Sequence, residues 1–416
     1  MVFFMVDQFR KEAELLYKQL PYENNELYKR YQMKFDLPEY TEEEFKEGEE
    51  WKSYLKRLEE ELGLKFDVVV HNGIALHKLS EVSPNIRKME ADGKSELEKI
   101  MKRLHNEPDK FVAYTCSKSR LVIDIREDGN RTYNILFINT SKSLPVVFNI
   151  TASGGAKLTV NELFVAEGKE PIVSGCVQNI DVGDASYAEL NMLHLEGKES
   201  DVFTVLEGNV GAEGKMATNL INAGGNRIRY RSSIDANGNG GKVQTNNIII
   251  GFDAQRIDIA EKTKNINEGT ESLSDTRAIM MGNSAAVIKG FSKIEKGARR
   301  SVSRINERGV VNGNDAYIYL IPDMSIDESD VVATHAGAAA PIDKDEVFYM
   351  QSRGIDEDTA RFLIMAGFLS GSIGRISSDW IKSLSYSAIT ERIRGKGFGI
   401  PKAVNISDLW INGARR

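Results

Sequence analysis

The chain has 416 residues and a formal net charge of −7, and its apolar and charged fractions are ordinary for a globular protein. A mildly acidic chain is a poor candidate for a nucleic-acid coat, because phosphate binding requires a basic face. Its two cysteines exclude a disulfide framework and are typical of the reducing cytoplasm. The opening MVFFMV is too short for a signal-peptide core, and no apolar run is long enough to span a bilayer. We therefore expect a cytoplasmic protein without membrane contact.

The first part of the chain predicts helices and one hairpin. Apolar residues at spacings of three and four predict helical stretches at residues 7–31, interrupted at Pro21, at 41–63 and at 94–104. In the second stretch, Thr41 and Glu44 have capping-box spacing, and Gly63 is suited to a C-terminal stop. The segment FDVVVHNGIALHKL predicts a hairpin, because apolar runs flank Asn72 and Gly73, the strongest short turn signal.

From Phe111 to about Asp330 the pattern changes to short apolar or β-branched runs separated by Gly, Asn and Asp. Runs such as LVIDI, PVVFNIT and NNIIIGF recur about every ten residues, a spacing that predicts a long all-β region. A sandwich of this length would usually divide in two, whereas a stack of short turns extends freely because each turn buries its face on its neighbours. We favour a β-helix over a sandwich, although no strict hexapeptide repeat is present.

The chain after this region predicts two helices with clear boundaries. Asp343 and Glu346 form an acidic N-terminal cap, and Gly354 with Ile355 has the pattern of a left-handed C-terminal stop. Asp356 begins the next helix. We expect these helices to form an antiparallel pair that covers the last turn of the β-helix and shields it from edge pairing.

Most catalytic signatures are absent from the sequence. GxSxG, HExxH and GxGxxG after a strand are missing, and ANGNGGKV fails as a phosphate loop because Val243 stands where Ser or Thr must hold magnesium. We expect no nucleotide site in this chain. Four of the five histidines are expected to be ordinary surface or strand residues: His71, His77, His105 and His194.

Two residues remain as candidate ligands. His335 is flanked by alanine, glycine and threonine, and these small neighbours leave its ring uncovered, as a metal ligand at a subunit surface would be. The alternative is a core histidine whose ring is satisfied by the backbone. Cys176 lies in the middle of a predicted strand. It is either a small buried apolar residue or a thiolate that carries sulfur or binds iron. Cys116 has the same two interpretations.

A carbohydrate-active β-helix enzyme is the alternative function. Such enzymes place acids along a groove on the strands, and Asp235, Asp253 and Asp258 could supply them, although their spacing does not require it. A third reading is a purely structural partner without cluster contact.

The sequence also resembles a known family. The runs SAAVIKGFSKIEKGARRSVSRI and DESDVVATHAGAAAPIDKDEVFYMQSRGIDEDTARFLIMAGFL are similar to the core of the SufB/SufD proteins of iron–sulfur cluster assembly. The matching positions are Asp330, Val331, His335, Asp343, Phe348, Tyr349, Ser352, Arg353, Gly354 and Ile355. The likeness is strong around 284–369, looser in the middle of the chain and weak after about residue 370.

The resemblance implies a right-handed parallel β-helix at residues 111–342, between helical domains at 1–110 and 343–416. It also implies a non-catalytic scaffold that pairs with a SufB-like subunit, or with itself as a dimer. In that family an ABC-type ATPase, SufC, docks on the C-terminal helices and hydrolyses ATP. A nascent iron–sulfur cluster would be held transiently and shared with the partner.

Departures from the family pattern indicate which subunit the chain resembles. Ala333 stands where the family has a cysteine, two residues before the histidine matched by His335. A retained histidine with a lost cysteine is more SufD-like than SufB-like, and the resemblance makes His335 a candidate cluster ligand at the subunit seam. Gly337 falls one place late relative to the family motif. Cys176 has no counterpart there and is kept as a candidate ligand from its residue type alone.

Overall fold

A parallel β-helix forms the centre of the molecule, and helices precede and follow it along the chain. The computed structural model describes residues 2–23, 33–39, 50–75, 86–88, 107–166, 171–313 and 315–395. Within these ranges, none of the helices has both the length and the apolar content needed to cross a bilayer.

The described elements have the following bounds. The helices are α1 (Val2–Gln19), α2 (Glu50–Leu62), α3 (Lys110–Lys118), α4 (Lys344–Ser352), α5 (Glu357–Ile373) and α6 (Asp379–Ile393). The strands are β1 (Val68–His71), β2 (Ile74–Ala75), β3 (Ile86–Lys88), β4 (Val122–Glu127), β5 (Asn130–Asn139), β6 (Val146–Ala152), β7 (Lys157–Ala166), β8 (Ile172–Val182), β9 (Tyr187–His194), β10 (Ser200–Val210), β11 (Lys215–Asn222), β12 (Arg227–Ala236), β13 (Lys242–Gly251), β14 (Arg256–Asn265), β15 (Glu271–Met281), β16 (Ala285–Ile294), β17 (Val302–Asn312), β18 (Tyr317–Ile326) and β19 (Val332–Pro341).

The strands alternate between two parallel sheets. From β4 onward the even-numbered strands form sheet B and the odd-numbered strands form sheet A, and from β6 onward each strand pairs with the strand two places before it. The pairing is in register over whole strands, so that Val202 lies between Ser174 and Ile228. This topology is that of a β-helix, and the fold class expected from the spacing of apolar runs is confirmed.

The predicted hairpin is confirmed and belongs to the first turn of the β-helix. Asn72 and Gly73 have positive φ angles of 49° and 83°, as the tight turn between β1 and β2 requires. β1 then pairs in parallel with β5, which attaches the hairpin to sheet A.

Three hydrophobic clusters hold the described part of the chain together. The first fills the interior of the β-helix with alternate residues of both sheets, such as Ile123, Leu158 and Ile288. The second lies between the outward face of sheet A and the helices α2 and α4 to α6, where Leu193 shares a cluster with Leu369. The third lies between sheet B and the helices α1 and α3. Both faces of each sheet are therefore covered along much of the β-helix.

The helix boundaries agree in part with the sequence analysis. α1 begins at Val2, earlier than expected, and Gly63 follows α2 with a φ of +65° as predicted. α3 was not predicted, because KFVAYTCSK is rich in aromatic and β-branched residues that favour strands. The predicted helix at 94–104 and the capping box of Thr41 lie outside the described residues.

Both ends of α4 and the start of α5 were predicted correctly. Asp343 caps α4 by accepting from Asp345 N at 2.8 Å, and Asp356 caps α5 by accepting from Thr359 N at 2.9 Å. Between them, Gly354 has a φ of +85°, and Ile355 N donates to Met350 O at 3.2 Å, the bond that closes a Schellman motif.

Candidate functional site

The β-helix ends in two strands that each have an unpaired edge. β18 pairs with β16 and β19 pairs with β17, and within the described residues no strand pairs with their other edges. No residue of either strand is buried. A row of unpaired N–H and C=O groups is a template for a strand of another chain. The last turn is therefore a part of the β-helix that is open to a partner.

Large apolar side chains are exposed on this last turn. Tyr317 and Tyr319 of β18 lie edge to face with their ring centroids 5.3 Å apart, and both are exposed. Ile326 at the end of β18 and Val332 at the start of β19 are exposed as well. Exposed aromatic and aliphatic side chains beside open strand edges are typical of a protein–protein interface.

The C-terminal helices do not cover this end of the β-helix, so that expectation was wrong. α5 lies on sheet A, where Met365 and Leu369 are buried in the same cluster as Ile279 of β15. Ser372 Oγ of α5 donates to a carboxylate oxygen of Asp275 at 3.1 Å. The apolar outward face of sheet A therefore binds these helices along its length and leaves the end of the stack open.

His335 lies on β19, above the interior of the β-helix. The register places it beside Ile305 of β17, which is buried and faces the interior. Its ring is exposed, and Nδ1 lies 3.2 Å from Pro322 O of β18. The neighbouring inward positions are Ala333 and Gly337, which are too small to cover the ring. One nitrogen is thus positioned by the backbone while the imidazole remains open to a molecule docked on this end.

Glu307 lies one turn below His335 and was not predicted as a functional residue. Burial raises its pKa from 4.5 to about 8, and its side chain faces Gly290 on the opposite sheet. In register above it stands Gly337, which has no side chain. A carboxyl group that is largely neutral near pH 7 therefore lies beneath the open turn. The signal in the sequence that could have identified it is the alternation of inward and outward side chains along β17. This alternation places Glu307 on the same inward face as Ile305.

The described residues of this chain do not complete a metal site at the last turn. No group of three or more His, Cys, Asp or Glu side chains in the part of the chain that the structure describes could hold a metal ion. A metal or cluster at His335 would therefore need ligands from another molecule.

Both cysteines are buried far from His335. Cys176 lies in the interior on β8, where Gln178 Nε2 is 3.6 Å from its Sγ, and burial raises the pKa of its thiol well above 9.0. Burial raises the pKa of Cys116 in α3 to about 12. These environments favour the protonated thiol and the role of small buried residue, and a ligand role for Cys176 remains an untested prediction.

The acids proposed for a carbohydrate-active site do not converge. Asp258 is buried in ion pairs with Arg231 and Lys289 at 2.7 Å each. Asp235 lies six residues further along the paired strand than the partner of Asp258, about 20 Å away at the rise of a β-strand. Asp253 is exposed in the turn before β14. Hydrolysis of a glycosidic bond needs two carboxyl groups within about 10 Å.

The other two described histidines contact polar side chains within the fold. His71 Nε2 lies 2.9 Å from Thr140 Oγ1, and His194 Nδ1 lies 2.9 Å from a carboxylate oxygen of buried Glu196. His77 and His105 lie outside the described residues.

A second exposed apolar surface lies on the C-terminal helices. Phe348 and Tyr349 of α4 are 70% and 60% exposed, and Leu363 of α5 is exposed as well. Val347, the residue before them in α4, is buried in the cluster with sheet A. α4 thus presents an aromatic pair to solvent beside the last turn that it follows in the chain.

Comparison with known proteins gives the family. Residues 138–368, more than half of the chain, match the family described as SUF system FeS cluster assembly, SufBD core domain. The iron–sulfur cluster assembly protein SufD of Bacillus subtilis is 22% identical over 280 residues, which cover 67% of this chain and 58% of that protein. SufD of Escherichia coli is 21% identical over 241 residues, which cover 58% of this chain and 57% of that protein.

A third relative shows the same degree of similarity. The SufBD family protein PH1385 of Pyrococcus horikoshii is 21% identical over 225 residues, which cover half of each chain. The chain thus spans between half and three fifths of the length of these relatives. With the β-helix, these matches show that the chain belongs to the SufB/SufD family of iron–sulfur cluster assembly proteins and is SufD-like.

Proposed function

We propose that this chain is a non-catalytic, cytoplasmic scaffold subunit of a SUF-type complex that assembles iron–sulfur clusters. The observation that carries the proposal is the open last turn of the β-helix, where unpaired strand edges, exposed apolar side chains and His335 occur together. Membership of the SufB/SufD family supports the assembly role.

The partner at the last turn is a second SufB/SufD-type chain, either a SufB-like subunit or another copy of this chain. β18 and β19 offer backbone donors and acceptors to matching strands, and Tyr319 and Val332 supply apolar area beside them. Pairing of this kind would continue both sheets from one subunit into the next and would bury the exposed residues.

His335 would bind the nascent cluster at that seam. The cluster is cargo in transit, and the partner must supply further ligands, because the described part of this chain offers no other ligand cluster beside the imidazole. Ala333 stands where the family pattern has a cysteine, so thiolates at the seam would come from the partner or the incoming sulfide.

An ABC-type ATPase would dock on the C-terminal helices. Phe348 and Tyr349 are exposed on α4 and are typical of residues that anchor a protein interface. α4 follows β19 directly, separated by Ile342 and the cap Asp343, so force on α4 would act on the last turn. ATP binding and hydrolysis would belong to that partner.

The pairing is tested with Val332→Lys, which places a charge on the open edge without disturbing a buried group. Size-exclusion chromatography with light scattering would be run on this chain alone and with a SufB-type subunit of the same organism. We expect the wild-type chain to form a dimer in at least one mixture and Val332→Lys to weaken it at least about tenfold, as burial of an unpaired charge predicts.

Leu15→Lys is the matched control, because Leu15 is an exposed apolar residue of α1, outside the last turn. It should leave the dimer unchanged. A dimer that survives Val332→Lys, or a wild-type chain that stays monomeric in both mixtures, would contradict pairing at this edge.

A further inference from the structure

Two exposed arginines lie beside the open edge of β19. Arg304 and Arg308 are outward residues of β17 on sheet A, and both side chains are exposed. The register places Arg304 beside Thr334 of β19 and Arg308 beside Ala338. β19 is the end strand of sheet A among the strands that the structure describes. One strand therefore separates the two arginines from the edge that is open to a partner.

Neither arginine has a carboxylate partner within the described residues. Arg308 Nε donates to Asn306 Oδ1, a neutral oxygen, at 3.3 Å. Arg277 of β15 lies directly beside Arg308 in register on the same face. Like charges on neighbouring strands repel each other, so this arrangement costs stability unless an anion offsets it.

The strands on both sides offer no acid that is free to pair with these arginines. β19 contains no acidic residue. On β15, Asp275 Oδ2 lies 3.0 Å from Arg375 Nη1 and 3.5 Å from Arg277 Nε, and Glu271 lies 3.8 Å from Lys242 Nζ. The outward face at β17 therefore has an excess of positive charge, although the whole chain has a net charge of −7. Charge of this kind beside an open edge favours a partner of opposite charge.

The outward side chains of β19 are small enough for the arginines to extend over them. After Thr334 the outward positions are Ala336, Ala338 and Ala340, and all are exposed. Strands lie about 4.8 Å apart, so a strand added to the edge of β19 would lie about 10 Å from β17. An arginine side chain and a glutamate or aspartate side chain together are long enough to span this distance. An arginine of β17 can therefore pair with an acid of the added strand.

We propose that Arg304 and Arg308 select a partner strand that carries carboxylates at the two positions beside Thr334 and Ala338. This inference rests on the proposed pairing at the last turn and names the chemistry of the partner at that edge. The planar guanidinium binds a carboxylate through two parallel hydrogen bonds, which gives specificity for geometry as well as for charge.

A second copy of this chain lacks this pair of carboxylates. If it docked through its own β19, it would present a strand without an acidic residue. If it docked through β18, it would present one acid, Asp323. At least one guanidinium group would then have no carboxylate partner. The arginines therefore favour a different SufB/SufD-type chain over self-pairing, because the wrong partner leaves a charge unpaired.

The selection is tested with the double variant Arg304→Gln, Arg308→Gln and a SufB-type subunit of the same organism. Isothermal titration calorimetry at low and at high ionic strength would measure the dissociation constant. We expect about tenfold weaker binding of the double variant at low ionic strength, because two ion pairs are lost, and a smaller dependence of its affinity on salt.

The matched control is the double variant Lys157→Gln, Lys215→Gln. It removes the same two charges from exposed positions of sheet A, on β7 and β11, away from the last turn. It should bind the SufB-type subunit like the wild-type chain. Circular dichroism would show that both double variants are folded.

Chemical cross-linking identifies the carboxylates directly. Arg304→Lys and Arg308→Lys each keep the positive charge and add an amine, which a carbodiimide joins to a carboxylate in direct contact with it. Mass spectrometry of the complex should show each new lysine joined to an aspartate or glutamate of the partner subunit. The native Lys157 should give no such product with the partner.

Four results would contradict this account. Equal affinity and equal salt dependence of the two double variants would overturn the proposal while leaving pairing at the last turn intact. The same holds if neither new lysine is joined to an acid of the partner, or if the wild-type chain binds its own copies more tightly than the SufB-type subunit. A wild-type chain that binds neither partner would overturn the proposed function together with this inference.

Discussion

At the residue scale, burial inside the β-helix decides the chemistry of individual side chains. Glu162 of β7 faces the interior, accepts a hydrogen bond from Gln178 at 2.7 Å and is fully buried. Burial raises its pKa from 4.5 to about 8. The sequence shows this glutamate within KLTVNELFV. Whether its side chain faces the interior or the outside depends on the register of the strand, which the sequence alone does not give. His335 is exposed, which is one of the two alternatives that its small neighbours left open in the sequence, and its role as a ligand stays a prediction.

The raised pKa of Glu162 predicts that stability falls as pH rises from about 5 to 8. In that window the folded chain holds a proton that the unfolded chain has released, so each such group lowers stability by up to about 1.4 kcal/mol per pH unit. Glu162→Gln should reduce this slope and make the protein more stable at pH 8. Urea unfolding at pH 5, 6, 7 and 8 measures it.

Glu199→Gln, at an exposed position before β10, is the control and should leave the slope unchanged. Glu307 contributes a similar slope, because its pKa is also raised to about 8. An unchanged slope in Glu162→Gln would show that this carboxyl is ionised in the folded chain.

At the element scale, the helix ends that have local cap signals were predictable, and the positions of the helices were not. Asp343 and Gly354 determine the ends of α4, and Asp356 determines the start of α5, through local bonds, so local sequence was sufficient for them. The place where these helices dock is determined by a row of asparagines on the outward face of sheet A. Asn161, Asn191, Asn219 and Asn246 each donate to the asparagine one turn earlier, at 2.7 to 3.0 Å.

This asparagine row connects the C-terminal helices to sheet A at both ends. Trp380 Nε1 of α6 donates to Asn134 Oδ1 at 3.0 Å, and Asn246 Nδ2 donates to Ser372 O of α5 at 3.0 Å. The row was missed in the sequence because its members are spaced by a whole turn of the β-helix, and the turns differ in length. No strict repeat therefore shows their alignment.

Asn191→Ala should destabilise the protein by about 2–4 kcal/mol, because it removes two buried hydrogen bonds and leaves Asn219 and Asn161 with one partner each within the row instead of two. Chemical denaturation followed by tryptophan fluorescence, which includes Trp380, measures the change. Asn283→Ala, at an exposed turn, should cost less than about 0.5 kcal/mol. Equal stability of the two variants would show that the row is not a structural element.

At the scale of the whole molecule, the spacing of apolar runs was enough to predict the β-helix, and long-range packing was not predictable. The N-terminal elements are attached to sheet B by ion pairs whose partners are far apart in sequence. In these pairs the acid lies on the N-terminal side, and examples are Glu23 with Arg231, Asp36 with Arg227, Glu107 with Lys262, and Asp109 with Arg229.

The exposure of the last turn is also a result of long-range packing that the sequence did not predict. The sequence predicted that the C-terminal pair of helices would cover it, because the helices follow β19 directly. In the structure their apolar faces meet Leu193 and Ile279 on sheet A, and the end of the stack stays exposed. Only the three-dimensional arrangement shows that His335, Tyr319 and Val332 share one uncovered surface.

The most direct test of the scaffold account is the cluster content of the assembled complex. This chain, a SufB-type subunit and an ABC-type ATPase would be purified together without oxygen and loaded with iron and sulfide. Iron, sulfide and visible absorbance would be compared between His335→Ala and Thr334→Ala, an exposed neighbour on the same strand. We predict that both variants keep the complex and that only His335→Ala loses most of the cluster. Full cluster loading by His335→Ala would contradict the account.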